Sequence, residues 1–317
     1  MPTRREFVSC AVHLALAAVA MPRTLRASWA RVPSFPVVAA EPFGRLERVA
    51  KGVWALISTP LSGDRTTLSN GGLIVGRDAV LAVEGFMTPA GARWLAQQSK
   101  ELTGRWPTHV VLTHYHADHA NGIAGYLAPG DRPALRATGE TRELVVQRNQ
   151  QADDAKAALA DAVLLDAAAP TALDLGGLTA RIIPRGGHTP SDLTIELEAP
   201  DVVFTGDLVW NAMFPNYVDA SPTRLAREVR ALRRSGGKTA YVPGHGPMAS
   251  DADLARYQSM LEEVERAARA AHAAGTPAKT AGEAFHLPAS LGEWTLFGNV
   301  FFERAFTAWY RELDATR

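Results

Sequence analysis

Cysteine is nearly missing from this chain: Cys10 is the only one in 317 residues. It sits in an N-terminal segment expected to be removed. The mature protein then has no thiol for a disulfide, a nucleophile or a thiolate ligand. Long apolar runs are missing too. No stretch of about eighteen consecutive apolar residues occurs, so no ordinary spanning helix is expected. Net charge is also lacking, since 33 Lys and Arg balance 33 Asp and Glu. A neutral chain has no basic footprint for nucleic acid. What remains, 47% hydrophobic and 21% charged, is the composition of a soluble globular protein with a sizeable core. Its length accommodates one large or two ordinary domains.

The segment set aside is residues 1–30. Thr3-Arg4-Arg5-Glu6-Phe7-Val8 puts paired arginines before the small and apolar stretch Ala11 to Met21. This resembles a twin-arginine export signal. Ser28-Trp29-Ala30 offers a small-x-small cleavage site, with Ala18-Val19-Ala20 as a second. Cleavage after Ala30 removes Arg4, Arg5, Arg23 and Arg26 with Glu6, leaving a mature net charge of −3. The expected location is therefore the periplasm or outside the cell, with no membrane anchor after cleavage.

Beyond it, the proline-rich stretch Val32 to Pro42 reads as an extended arm. Val53 to Ile57, Gly72 to Val75 and Ala79 to Val83 read as strands. Ala90 to Leu102 has helical spacing, and Val110 to Leu112 is a short buried strand. Alanine-rich, charged Ala134 to Leu165 is expected to form helices partly covering a site. A second series follows: strands at Ala180–Ile183, Leu193–Leu197 and Val202–Phe204, a helix from Pro222 to Arg234, and a strand at Tyr241–Val242. The two halves echo one another in element order, as mixed α/β layers do.

Chemistry concentrates at strand ends. Directly after Val110-Val111-Leu112 comes Thr113-His114-Tyr115-His116-Ala117-Asp118-His119, holding three of the nine histidines. Imidazole and carboxylate are ligands for zinc and similar ions. His114, His116 and Asp118 alternate along an extended segment and so share a face. Burying them together without a partner would be costly. A turn at Asp118-His119 would aim both at a second ion. His188 follows Gly186-Gly187, His245 lies between Gly244 and Gly246, and Asp207 closes the run Val202 to Gly206. Read separately, Asp207 is also a plausible helix cap and His188 or His245 a loop residue. Together the seven suffice for two metal ions. Of the remaining histidines, His109 reads as structural, His272 as a helix-surface residue, and His286 as a candidate to reach the site from the C-terminal region.

The order His114-x-His116-x-Asp118-His119, then His188, Asp207 and His245, resembles the metallo-β-lactamase superfamily over roughly Leu46 to Pro247. The resemblance implies a four-layer αβ/βα sandwich with the site at one edge between two sheets. It implies that His114, His116 and His188 hold one metal ion, that Asp118, His119 and His245 hold another, and that Asp207 bridges them. With the N-terminal reading above, the expected domain limits are 1–30 for the export segment, 31–45 for the arm, 46–275 for the sandwich and 276–317 for a C-terminal helical extension. The expected activity is hydrolysis of a small ester, thioester, lactone or lactam by a metal-bridging hydroxide on two divalent ions, with zinc favoured and iron or manganese as alternatives. Asp118 is the candidate catalytic residue, orienting the hydroxide or taking its proton. The ligand set is closer to glyoxalase II-like thioesterases and lactonases than to true β-lactamases, which commonly lack an equivalent of Asp207. Gly206 to Asn211 and Pro215 to Asp219 look like exported relatives that accompany quinoprotein and sulfur-oxidation systems. The competing readings are an accessory metal-binding protein of such a system and a di-iron redox protein on the same scaffold. One departure stands out: Glu84-Gly85 ends the third strand where many members have Asp-x-Gly. The expected partner is a small-molecule substrate. Finally, Leu291, Trp294, Phe297, Phe301, Phe302, Ala305, Phe306 and Trp309 recur at three- and four-residue spacing, predicting one apolar helix stripe. That stripe either packs on the outer face of the sandwich or lines the site's mouth or a dimer interface.

Overall fold

The computed structural model describes residues 35–127, 132–234, 237–298 and 300–315. The expected export segment, residues 1–30, lies outside the described residues.

The first half builds an eight-stranded sheet in sequential order. Its strands are β1 (Val37–Glu41), β2 (Gly44–Ala50), β3 (Val53–Ser58), β4 (Gly71–Val75), β5 (Val80–Val83), β6 (His109–Val111), β7 (Ala134–Thr138) and β8 (Val163–Leu165). Pairing is antiparallel through β5 and parallel from β5 to β8. The parallel steps are crossed by α1 (Pro89–Thr103), the single turn α2 (Ala117–Ala120), and α3 (Gly139–Arg148) with α4 (Asp153–Leu159). The second half builds a five-stranded sheet from β9 (Thr171–Asp174), β10 (Thr179–Pro184), β11 (Leu193–Leu197), β12 (Val202–Trp210) and β13 (Ala240–His245). Only its β12–β13 pair is parallel, and α5 (Pro222–Leu232) crosses between the two. Then come α6 (Asp251–Ala273), α7 (Ala278–Ala284) and α8 (Val300–Ala315). Among the described residues no helix is long and apolar enough to cross a membrane.

Side-chain alternation turns these strands into four layers. Along β3, Val53, Ala55 and Ile57 meet Ile182, Ile195, Val202 and Phe204 of the other sheet. Leu56 points the opposite way, toward Leu95 of α1 and Leu159 of α4. On the far side, Val203 and Tyr241 pack under Leu225 of α5, Tyr257 and Met260 of α6, and Phe306 and Trp309 of α8. Strands covered on both faces read as continuous apolar runs, which is why β5, Val-Leu-Ala-Val, has no polar side. Each fully buried Val, Leu, Ile or Phe contributes roughly 1.5–3 kcal/mol, so the sheets do not depend on any single ligand for their packing.

Three expectations change. Residues 37–41, inside the expected arm, form β1 hydrogen-bonded to β2. The stretch 134–165 is not helical throughout: β7 and β8 bracket α3 and α4 and extend the first sheet. The C-terminal stripe is not one helix. Gly292 at φ +77° interrupts it, and regular α-helix begins only at Val300. Trp294 instead lies in the irregular approach, with the Arg256 guanidinium 4.7 Å from its ring centre.

Candidate metal centre

Strand ends of both sheets converge on one point. The chain leaves β6 at Val111 and delivers His114 and His116, and α2 then turns so that Asp118 and His119 face inward. His188 comes from the β10–β11 loop, Asp207 from within β12 and His245 from the end of β13. Strict alternation would put Asp207 on the helix-covered face with Val203. A bulge at Gly206, φ +50°, resets it, and Leu208 takes the helix-side position. On the neighbouring strand, a Cβ at Gly244 would stand 1.9 Å from Asp207 Oδ1. The missing side chain there makes room for the carboxylate.

The structure brings all seven predicted residues together in two groups. His114, His116, His188 and Asp207 form one, and Asp118, His119 and His245 the other, with ligand atoms in each lying within 4.8 Å of one another. Asp207 divides itself between them. Its Oδ2 lies 3.2 Å from His188 Nε2 and 3.8 Å from His114 Nε2. Its Oδ1 lies 3.1 Å from His119 Nε2 and 3.4 Å from His245 Nε2. Asp118 Oδ2 completes the second group, 3.3 Å from His245 Nε2.

Outer partners fix which nitrogen faces inward. His119 Nδ1 lies 3.0 Å from Glu84 Oε1, so it carries the proton and leaves Nε2 with a lone pair. Thr113 Oγ1 donates to the same carboxylate at 2.5 Å and lies 3.0 Å from His114 Nδ1, which must donate to it. Glu84 thus steadies one histidine in each group, the directly bonded His119 and, through Thr113, His114. It does so from a left-handed backbone at φ +79°, and Tyr126 donates to its carbonyl at 3.0 Å. The departure at Glu84 keeps the supporting role. His116 Nε2 lies 3.1 Å from Asp219 Oδ2, leaving Nδ1 free to face His188 Nε2 at 3.0 Å. Asp219 also accepts from the Tyr115 hydroxyl and from Arg148 Nη1 at 2.9 Å.

The donor set fits metal ions. His114 Nε2, His119 Nε2, His245 Nε2 and Asp207 Oδ1 are buried without a hydrogen bond of ordinary geometry. Burial pushes His188 down to about 3, against the pull of Asp207. Burial also opposes the charged form of His245, but Asp207 and Asp118 outweigh it and carry the ring up to about 9. Buried ring nitrogens without hydrogen-bond partners, aimed at a shared carboxylate, suit divalent cations far better than they suit each other.

A model of the metallo-β-lactamase superfamily matches residues 65–245. The chain belongs to that superfamily. It is a superfamily hydrolase with low-identity relatives. One is a hydroxyacylglutathione hydrolase of Anaeromyxobacter dehalogenans (strain 2CP-C), 32% identical over 67% of this chain and 76% of the relative. Another from Xylella fastidiosa (strain M12) is 26% identical over 55% of this chain and 62% of its own length. Among solved structures, a metallo-β-lactamase from Pontibacter korlensis superposes with a TM-score of 0.57 at 19% identity, over 68% of this chain and 98% of that one. A sec-alkylsulfatase from Pseudomonas sp. gives 0.66 at 17% identity over 84% of this chain, which spans half of that protein. These likenesses carry the fold.

The superfamily site opens into a cleft of about 500 Å³ whose lining includes Asp118, His116, Asp207 and His245. Sequence reasoning reached Phe297 and Phe301 through the C-terminal stripe but gave Trp210 and Asp219 no role in its walls. Trp210 stacks on the His245 ring at 3.9 Å, and Phe297 stands 5.8 Å from Trp210 and 6.0 Å from His245. Phe301 follows, 6.2 Å from Trp210. The C-terminal stripe therefore serves both expected roles, with Phe306 and Trp309 in the core and Phe297 and Phe301 at the mouth. Asp219 ends the segment Pro215 to Asp219, whose sequence alone gives it no role at the site. Its signal was a carboxylate in a segment next to the site. Of the other histidines, His286 does not reach the cleft; its Nδ1 lies 2.9 Å from the Ala284 carbonyl. His109 lies against Arg136, and His272 pairs with Asp314.

Proposed function

We propose that this chain is a dinuclear metal hydrolase of a thioester or ester, with zinc as the metal. The observation that carries the reading is the split carboxylate of Asp207, one oxygen toward each histidine group. His114, His116 and His188 would hold one ion, Asp118, His119 and His245 the other, and Asp207 both. When bound, such a pair supplies Lewis acidity toward a carbonyl and a water of lowered pKa.

The chain's own groups do the rest. Asp118 has a quarter of its side chain exposed to the cleft, against almost none for Asp207, so it is the carboxylate placed to orient a water and take its proton. Trp210 shields the far side of His245 from solvent. Glu84 and Asp219 hold the ring orientations set out above. The absence of any cysteine from the described residues leaves no thiol route to a covalent intermediate.

The hydroxyacylglutathione hydrolases among the relatives support a thioester, and the ligand set supports the same class. The twin-arginine reading supports a periplasmic substrate; changing Arg4 and Arg5 to Lys should keep the precursor in the cytoplasm. Elemental analysis together with a panel of thioesters, esters, lactones and β-lactams tests the proposal. We expect about two ions per chain and fastest turnover on thioesters or esters. Fewer than two ions after supplementation, or no turnover across the panel, would overturn it.

A further inference from the structure

The cleft over the metal centre has a neighbour. Beyond Pro60 lies a second hollow of about 250 Å³, lined by Thr59, Leu61, Ser62, Met213, Pro247 and Thr295 among others. Four separate segments run from one space into the next. Pro60 lines both. His245 faces the cleft while Gly246 and Pro247 face the hollow. Trp210 and Phe297 face the cleft while Met213 and Thr295 face the hollow. The two spaces therefore adjoin at Pro60.

The hollow is built. Thr295 N donates to the Ala212 carbonyl at 3.0 Å, and Phe214 N to the Thr295 carbonyl at 2.9 Å. Asn211 Nδ2 donates to the carbonyls of Pro247 at 3.2 Å and Met248 at 3.0 Å. These bonds hold its floor, and no charged side chain lines it. Of its hydroxyls, Thr59 Oγ1 donates to the Pro42 carbonyl at 2.6 Å and Ser62 Oγ accepts from Asp64 N at 3.3 Å, so a charged tail would lose its hydration there without a countercharge. At its edge Leu61 is 65% exposed, and Phe297 is 39% exposed at the junction. Neighbouring exposed apolar side chains beside a polar catalytic centre mark a surface that a ligand covers.

We infer that this hollow is the subsite for an unbranched apolar acyl chain, whose carbonyl then lies over the metal centre. The inference rests on the hydrolase reading and names its substrate class: straight-chain acyl thioesters or esters. Each methylene moved from water into the hollow is worth about 0.8 kcal/mol, or about fourfold in kcat/KM.

The test uses the purified full chain loaded with zinc and N-acetylcysteamine thioesters of two, six and ten carbons. We expect kcat/KM to rise about fourfold per methylene until the hollow is full. Leu61→Asp sets a charge at the edge without disturbing the core, and should collapse the hexanoyl-to-acetyl ratio toward one. Calorimetric binding of butan-2-one and octan-2-one supplies a readout that needs no turnover, with octan-2-one binding tighter in the parent and losing that advantage in the variant. Hydrolysis with no chain-length preference, unchanged by Leu61→Asp, overturns the subsite and leaves the hydrolase reading standing. Chain-length-dependent ketone binding in a protein that hydrolyses nothing supports the subsite and overturns the hydrolase reading.

Discussion

Replacing Asp219 with Asn should weaken one metal ion about tenfold and leave the fold intact. Asp219 touches no substrate-facing ligand atom, yet it holds the one proton that decides how His116 is presented. Its Oδ2 takes His116 Nε2 at 3.1 Å, while Tyr115 and Arg148 hold the carboxylate in place. A charged acceptor makes a hydrogen bond worth roughly 1.5–3 kcal/mol against roughly 0.5–1.5 kcal/mol for a neutral one. An amide in its place therefore gives up about 1–1.5 kcal/mol of orientation, close to tenfold in affinity. Asp219→Ala removes the partner altogether. It should approach the upper end of the roughly 10- to 100-fold loss typical of such outer carboxylates. Titration of the metal-free protein with zinc against a chromophoric chelator separates the two binding steps. The weakened step should be the ion of His114, His116 and His188, with the stoichiometry still two. Tyr115→Phe, which removes one donor to Asp219 but keeps the carboxylate, is the control and should change affinity by less than about threefold. If Asp219→Asn leaves both steps within twofold of the parent, the orientation argument is wrong and Asp219 only anchors Arg148 and Tyr115.

Asp207→Ala should reduce bound metal to one ion or fewer and lower turnover by orders of magnitude with an unchanged circular dichroism spectrum. Near-normal turnover would remove Asp207 from the centre. The metal-free protein should lose thermal stability as pH rises from about 6.5 toward 9. His245, lifted to about 9 by Asp207 and Asp118 against burial, keeps a proton there that the unfolded chain has released. Zinc, which displaces that proton, should abolish the decline, so a decline that persists with zinc bound would refute the assignment. Phe306→Ala or Trp309→Ala should cost about 3–5 kcal/mol in denaturant unfolding, as buried aromatics do. Phe297→Ala, at the exposed mouth, should alter KM with little change in Tm. Equal stability losses at all three positions would contradict the division of the C-terminal stripe.

The seven-residue cluster was legible because its chemistry sits where sequence is most local. His114, His116, Asp118 and His119 fall within six residues after a strand, and the other three stand at strand or loop ends beside glycine. The core strands were legible for the related reason that buried runs such as Val53 to Ile57 leave few alternatives. Legibility failed where tertiary contact overrules local preference. Ala134-Leu-Arg-Ala-Thr138 has an alanine-rich helical look, but its main-chain pairing with β6 makes it a strand. Val163-Leu164-Leu165 is too short for periodicity to separate strand from helix. The cleft walls failed for a different reason. Asp219 meets His116 across 103 residues, so no local pattern announces it, whereas Phe297 is marked by the aromatic stripe although its contact with His245 spans 52.

The glycines show how far local reading reaches. Gly244 beside His245 reads from sequence as a turn residue that frees the backbone. In the folded chain its φ is not left-handed, and the position is instead defined by what it vacates. A methyl group there would stand 1.9 Å from the Asp207 oxygen that faces His119 and His245, with the Gly206 carbonyl carbon at 2.8 Å behind it. The carbonyl carbon belongs to the main chain and cannot yield, and the carboxylate could yield only by swinging out of the position that faces both histidines. The parallel pairing of β12 and β13 sets that distance, and the bulge at Gly206 aims the carboxylate into the gap. The metal centre therefore depends on two residues that carry no ligand: one bends β12 so that Asp207 turns inward, and the other leaves the space into which it turns.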